Sequence, residues 1–283
     1  VKSMSTKAKE ITKTLIVRIF FMLYAIIILV PFVYMFMNSF KDTTEYYAGI
    51  WTLPSVWDFR NYVKALEFTQ LHRYAINTIF VVCIALALNL SLASMVSYVI
   101  ARMKTKSGPL IYRYFLFGLL MPQVVAIIPT FFVSKYLFLY NTRLILIFTY
   151  AVFNLPFAVF TMSAFFKTLP HDLEEAALID GASYFMTFER VMLPLAKPGL
   201  VTVGVFNFLE MWSDYMLALT LIADEGKKTV SLAIIRITRA QTVKTEWGAM
   251  FAACVMITIP VIILYALFQR QLTTGLTAGS IKG

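Results

Sequence analysis

Six windows of about 20 consecutive apolar residues constrain this chain more than any other feature of its sequence. A helix of about 20 residues is long enough to cross a hydrocarbon core of about 30 Å. The windows lie near Leu15–Met37, Tyr74–Ala101, Tyr114–Leu137, Leu144–Phe166, Gly199–Ile222 and Ala249–Phe268. They lack the alternation of polar and apolar residues that marks a barrel strand. We therefore expect an all-α polytopic membrane protein with six transmembrane helices.

The overall composition is typical of a protein embedded in a bilayer. Hydrophobic residues make up 60% of the chain and charged residues only 14%, which exceeds the apolar share of soluble globular proteins. A formal net charge of +10 could indicate a nucleic-acid partner, but the cations flank the spans and form no single basic face. Anionic lipid headgroups explain them better. The first window carries no small-residue cleavage site, so we expect it to remain as a helix.

Positive charge sets the expected orientation. Lysine and arginine are dense before the first window and in the loop at 102–113, so both termini are predicted to be cytoplasmic. The expected organisation is a cytoplasmic N-terminal segment at 1–14, a transmembrane domain at 15–270 and a cytoplasmic tail at 271–283. On the predicted outer side, the aromatic stretch at 51–62 is either an interfacial belt or a docking patch for an external partner.

The chain lacks the motifs of several common sites. It contains no G-x-x-x-x-G-K-[ST] loop and no Cys/His cluster with metal spacing, so we expect no nucleotide, metal or other cofactor on this chain. Cys83 and Cys254 fall inside spans and are interpreted as small packing residues, and His72 and His171 as solvated surface residues. This chain is not expected to be an enzyme.

A polar passage separates the fourth and fifth windows, within the loop 167–198. Asp172 is predicted to cap a helix that has Glu175 as its third residue, and Gly181 to end that helix with a positive φ. Ser183 is predicted to cap a second helix, which two prolines stop before the fifth window. The passage therefore predicts a compact helix-turn-helix.

The two short helices each carry an apolar stripe, formed by Leu173, Ala176 and Ala177 on the first and by Phe185, Phe188 and Met192 on the second. Such stripes also occur in amphipathic hairpins that lie on a membrane. Acidic side chains outnumber basic ones in this passage, however, and acids gain nothing against an anionic leaflet. A protein partner with basic residues fits the passage better.

The same passage resembles the cytoplasmic docking motif of ATP-binding-cassette importer permeases. The motif consists of Glu-Ala-Ala, a glycine after three residues, and Ile-x-Leu-Pro after nine more. This sequence has Glu175-Ala176-Ala177, Gly181 and Val191-Met192-Leu193-Pro194, with valine in place of isoleucine. The stretches NLPFAVFTMSAFFKTLPHDLEEAALIDGAS, MWSDYMLALTLI and GLTAGSIKG are similar to the smaller permease of carbohydrate importers of the maltose type. The likeness covers essentially all of 15–283.

The resemblance implies a permease subunit of an ATP-driven, binding-protein-dependent importer for a sugar or oligosaccharide in the bacterial cytoplasmic membrane. Its implied partners are a homologous permease subunit, an ATPase dimer that binds ATP and magnesium, and an extracytoplasmic sugar-binding protein. The residues implied to dock the ATPase are Glu174, Glu175, Ala176, Ala177, Asp180, Gly181, Leu193 and Pro194. By the same analogy, a second contact comes from Gly275, Gly279, Lys282 and Gly283, unless the tail is a frayed terminus.

Two acids interrupt the fifth window. Glu210 and Asp214 are four residues apart, so on a continuous helix they share one face. Because a carboxylate facing lipid is costly, they should face protein or a watery cavity. With Trp212, Ser213 and Tyr215 they are predicted to line the substrate pathway; the alternative is a structural hydrogen bond to the partner permease.

Other interruptions of the spans have simpler interpretations. The amides of Asn77, Asn89, Gln123 and Asn154 are predicted to hold helices together. Pro122, Pro129, Pro156 and Pro260 are predicted to kink or break their helices, either for gating or for packing alone.

Two rival functions remain open at this point. One is a proton-coupled secondary transporter with Glu210 and Asp214 as its relay, although the sequence shows no convincing inverted repeat. The other is a membrane scaffold that recruits a partner and moves no solute.

Overall fold

The computed structural model describes residues 2–103, 105–233 and 246–278, and these ranges contain no β-strand. The α-helices are α1 Lys2–Asn38, α2 Thr43–Ala48, α3 Arg60–Thr69, α4 Leu71–Arg102, α5 Gly108–Leu120, α6 Gln123–Tyr136, α7 Arg143–Phe153, α8 Leu155–Thr168, α9 Asp172–Ile179, α10 Tyr184–Thr187, α11 Leu193–Leu195, α12 Lys197–Ser213, α13 Met216–Leu221 and α14 Trp247–Ala278. A π-helical turn, Phe188–Met192, joins α10 to α11. The expected all-α class is confirmed.

Three helical segments are each long and apolar enough to cross a bilayer alone: Glu10–Asn38, Leu71–Arg102 and Trp247–Leu272. Three bent pairs also qualify if each pair is one span: α5 with α6, bent by 101°, α7 with α8, bent by 40°, and Tyr184–Leu195 with α12, bent by 72°. The described residues therefore supply between three and six spans. The predicted number of six is reached if each bent pair is one span, and the break at Pro122 agrees with the prediction that prolines interrupt the spans.

The chain divides into two compact units. The first unit contains α1, α2, α3 and the start of α14, and small residues let its helices approach closely. Ala65 packs against Ala249, Ala252 and Ala253. A Cβ atom at Gly248 would lie 2.1 Å from the Lys41 carbonyl oxygen. Only glycine fits at this position.

The predicted aromatic stretch at 51–62 belongs to the first unit. Trp51 and Trp57 are exposed, although the Trp57 ring lies 5.0 Å from Phe40 and the Trp51 ring 4.9 Å from Tyr34. The two tryptophans thus contact aromatic rings of α1 and of the residues that follow it, while much of each side chain stays exposed. Both interpretations, interfacial belt and docking patch, stay predictions.

The second unit is built around α4, which packs against α7, α8 and α12. Buried amides hold these helices together: Asn89 Nδ2 donates to the Ala151 carbonyl oxygen at 2.7 Å, and Asn207 Nδ2 donates to Asn89 Oδ1 at 2.8 Å. Each bond satisfies a polar group that lipid could not satisfy. The prediction that amides join the spans is confirmed for Asn89.

Two predicted spans break where the sequence carries helix-ending residues. The third breaks at Met121–Pro122, because proline lacks the N–H that would continue α5. The fifth ends at Ser213, and Asp214 has an extended ψ of 126°. Asp214 is therefore the residue that ends α12, and the shared face predicted for Glu210 and Asp214 extends no further than this position.

Candidate functional site

The polar passage folds into two short helices and a tight turn, Asp172–Leu195, which we call the polar hairpin. Gly181 ends the first helix with φ of +84°. The Ala182 N–H donates to the Ala177 carbonyl oxygen at 3.0 Å and the Gly181 N–H to that of Leu178 at 3.1 Å, which is the Schellman pattern. The expected glycine stop is confirmed.

The start of the first helix differs from the prediction. Asp172 is its first residue and not its cap, and the N–H groups of Glu174 and Glu175 both donate to the His171 carbonyl oxygen. His171 makes no side-chain cap. The predicted capping box at Asp172 is therefore wrong, because the chain turns into the helix one residue earlier.

The second helix begins as predicted and then widens. The Met186 N–H donates to Ser183 Oγ at 3.2 Å, which confirms the cap. The helix becomes π-helical at Phe188–Met192, just before Pro194, whose ring would clash with an α-helical carbonyl. Phe188 and Met192 are buried, whereas Phe185 is 63% exposed, so only two members of the predicted stripe enter the core.

One face of the polar hairpin lies open to solvent. Glu175, Ala176, Asp180 and Gly181 are exposed there, and Ile179 is 85% exposed. The other residues implied to dock the ATPase include exposed Pro194 and the half-buried Ala177 and Leu193. The open face combines an isolated apolar side chain with two carboxylates, which suits a protein surface that carries basic residues.

Glu174 points the opposite way from its neighbour Glu175. It is 8% exposed, and its Oε2 lies 2.8 Å from Arg102 Nε of α4. Tyr98 Oη donates to its other oxygen at 2.5 Å. Glu174 is therefore held inside the chain and is absent from the open face, contrary to its place in the implied docking set.

A cavity of about 660 Å³ lies between the end of α4 and the polar hairpin. Its walls include Arg102, Thr105, His171, Glu175 and Tyr184. Charged and aromatic groups thus surround a space large enough for side chains of another protein.

A second cavity, of about 280 Å³, lies beside the α5–α6 break, the α7–α8 junction and α12. Its polar walls come from Gln123 after the α5–α6 break, Asn154 at the α7–α8 junction, and Asn207 and Glu210 on α12; its aromatic walls come from Phe153, Phe157 and Phe206. Aromatic faces with a few amide and carboxylate groups suit a hydroxylated ligand. Glu210 is exposed at this cavity.

The other residues predicted to line the pathway occupy different positions. Asp214 accepts hydrogen bonds from Tyr150 Oη at 2.8 Å and from the Ala218 N–H at 3.0 Å. Trp212 is 4% exposed and donates to the Ile257 carbonyl oxygen at 3.3 Å. Ser213 and Tyr215 are exposed. Asp214 and Trp212 thus make hydrogen bonds within the chain that stabilise the fold. Of the two acids, it is Glu210 that is exposed at the cavity.

The predicted second contact falls largely beyond the described residues. Gly275 belongs to α14, while Gly279, Lys282 and Gly283 lie outside the ranges that the structure describes. The role of this tail stays a prediction.

Sequence reasoning missed Tyr98, Arg102, Ile179 and Asn207. Tyr98 and Arg102 carry a signal, because an aromatic hydroxyl and a cation four residues apart share one face at the end of a span. Ile179 and Asn207 carry no such signal. The exposure of Ile179 and the hydrogen bond between Asn207 and Asn89 both follow from how the helices pack.

Residues 90–277 match the family described as binding-protein-dependent transport system inner membrane component. The chain belongs to this family. Its members are permease subunits of ATP-binding-cassette importers, so this permease is a transport component of the inner membrane and not an enzyme.

Curated relatives and a solved structure agree with that assignment. The diacetylchitobiose uptake system permease protein NgcG of Streptomyces coelicolor is 39% identical, with 92% of this chain and 86% of that protein covered. The trehalose/maltose transport system permease protein MalG of Thermococcus litoralis is 34% identical, with 97% and 99% covered. A chain of a bacterial ABC transporter that imports the acidic polysaccharide alginate has a TM-score of 0.79 at 23% identity, over 90% of this chain and 95% of that one. This last likeness concerns the fold.

Proposed function

We propose that this permease imports a sugar or oligosaccharide delivered by an extracytoplasmic binding protein, together with a homologous permease subunit. Relatives over most of the chain are named for diacetylchitobiose and for trehalose or maltose. The cavity beside Glu210, with its amide and aromatic walls, offers hydrogen bonds and ring faces suited to a saccharide. A carboxylate there favours a neutral or cationic saccharide over an acidic one.

The polar hairpin is proposed to dock a cytoplasmic ATPase subunit, one copy of a dimer that holds ATP and magnesium. The open face of Glu175, Ala176, Ile179 and Asp180 supports this, since its exposure would be covered by a partner with basic residues. This assignment places the hairpin and both termini in the cytoplasm, as the distribution of positive charge predicts. The tail at 271–283 is proposed as a second contact with the ATPases.

The single observation that carries the docking proposal is Ile179, an isoleucine 85% exposed between two exposed acids. Ile179→Glu should prevent the ATPase from copurifying with the permease and abolish uptake in reconstituted vesicles. The control is Ile263→Glu, at an exposed site within α14; it is expected to disturb membrane assembly and not ATPase retention in assembled protein. Retention of the ATPase by Ile179→Glu would contradict the proposed docking face.

Vesicle uptake also separates the rival functions. With ATP inside and a binding protein outside, we expect accumulation of at least one of diacetylchitobiose, trehalose and maltose. Accumulation driven by a proton gradient without ATP would favour the secondary transporter, and no accumulation of any solute by an intact complex would favour the scaffold.

A further inference from the structure

Arg102, the last residue of α4, lies buried beneath the polar hairpin. Its side chain is fully buried and contacts Glu174 at 2.8 Å. Its Nη1 also donates to the Leu169 carbonyl oxygen at 2.9 Å, and its Nη2 to that of Pro170 at 3.0 Å. One guanidinium group therefore holds both the entry to the hairpin and its first helix.

Tyr98 adds a second attachment one turn earlier on α4. Its hydroxyl donates a hydrogen bond to Glu174 Oε1, the carboxylate oxygen that Arg102 Nε does not contact, at 2.5 Å. Its ring lies 5.1 Å from the ring of Phe188 in the second half of the hairpin. Through Tyr98 and Arg102, α4 contacts both helices of the polar hairpin.

These contacts are stiff because they are buried. An exposed ion pair contributes little, since water and salt screen it, whereas removal of one partner from a buried pair leaves an uncompensated buried charge and is strongly destabilising. Arg102 and Glu174 belong to the buried class. Glu175, by contrast, is exposed on the open face.

The opposite end of α4 is also attached. Tyr74 donates to Glu225 Oε2 at 2.5 Å, and Asn77 Nδ2 donates to the Gly226 carbonyl oxygen at 3.0 Å. The 32 residues of α4 extend about 48 Å at 1.5 Å per residue. This helix thus connects the polar hairpin with the segment at 223–230, on the other side of the second unit.

We propose that Tyr98, Arg102 and Glu174 are positioning residues that make the polar hairpin and α4 move as one body, so that displacement of the hairpin reaches the segment at 223–230. This inference rests on the proposed docking of the hairpin against the ATPase. It assigns Glu174 to force transmission within the permease, and leaves contact with the ATPase to Glu175 and its exposed neighbours.

The functional test compares Glu174→Gln and Tyr98→Phe in the assembled transporter. Glu174→Gln should retain the ATPase and its ATP hydrolysis, while diacetylchitobiose, trehalose or maltose imported per ATP falls at least about tenfold, as loss of a charged hydrogen bond predicts. Tyr98→Phe should lower the same ratio less, and Tyr114→Phe, at an exposed tyrosine of α5, should leave it unchanged. Glu175→Gln should instead weaken ATPase retention. An unchanged ratio in both Glu174→Gln and Tyr98→Phe would overturn the inference.

A spectroscopic test needs no transported solute. Spin labels are placed at exposed Met95 of α4 and exposed Glu189 of the hairpin, with Cys83 and Cys254 replaced by alanine. The wild-type label distance should stay the same with ATP and vanadate, and change in Glu174→Gln. A wild-type change of more than about 2 Å, the size of ordinary helix shifts, would refute the one-body inference. Loss of the ATPase from wild type would refute the docking proposal instead.

Discussion

The acids near the end of α12 have different environments although four residues separate them. Asp214 accepts hydrogen bonds from Tyr150 and from the start of α13, so it stabilises the break after Ser213. Glu210 is exposed beside a cavity. At the residue scale, one carboxylate therefore stabilises the fold and the other is open to the cavity.

Replacement of Asp214 by alanine should therefore destabilise the permease. It removes the acceptor of a buried tyrosine hydroxyl and of the Ala218 N–H, at an expected cost of about 2 kcal/mol. Asp214→Asn keeps an acceptor and should restore most of that loss. The measurement is the thermal unfolding midpoint of the purified complex. Glu210→Gln should keep this midpoint while altering uptake, so a large drop in its midpoint would contradict the assignment.

Helix geometry separates Glu174 from Glu175. Successive helical side chains point about 100° apart, so when Glu174 reaches Arg102 its neighbour must face outwards. The sequence shows two acids in a row, and only the position of α4 decides which of them is buried.

At the scale of elements, the polar hairpin was predictable from the residues that end its first helix and cap its second. Gly181 takes a positive φ and Ser183 caps the second helix, because both depend on contacts within a few residues. Its π-helical turn lies just before Pro194, whereas the exposure of Phe185 depends on how the hairpin packs, which local sequence did not indicate.

Gly181 offers a direct test of the hairpin turn. No atom lies within 4 Å of a Cβ built at this position, so a substitution meets only backbone strain of about 1–2 kcal/mol for a residue with positive φ. Gly181→Val should lower uptake per ATP hydrolysed, and Gly181→Pro should abolish it, while the complex still reaches the membrane. Gly181→Asn should be tolerated, since asparagine adopts this conformation readily. Normal uptake by Gly181→Pro would show that the turn has no part in coupling.

At the scale of the whole molecule, the long apolar helices present much of their surface outwards. The apolar window of α1 has none of its residues buried within the chain, which fits lipid or the homologous permease as its surroundings. The orientation of these helices across the membrane is a prediction that rests on the distribution of positive charge.

Cysteine labelling tests that orientation. In a background without Cys83 and Cys254, a cysteine at exposed Lys106 should react with an impermeant maleimide only in inverted vesicles. A cysteine at Trp57, 53% exposed, should react only in intact cells or spheroplasts. The reverse pattern would place the polar hairpin outside and remove it from any cytoplasmic ATPase.

The sequence by itself determined the helical class, the placement of the spans and the location of the polar hairpin. These features depend on hydrophobic length, positive charge and short-range caps, all of which are local. The tertiary structure decided which polar side chains are paired and which are free. Glu174, Arg102 and Asp214 find partners 64 to 72 residues away along the chain, and burial of such groups depends on how distant helices meet, which no local pattern encodes.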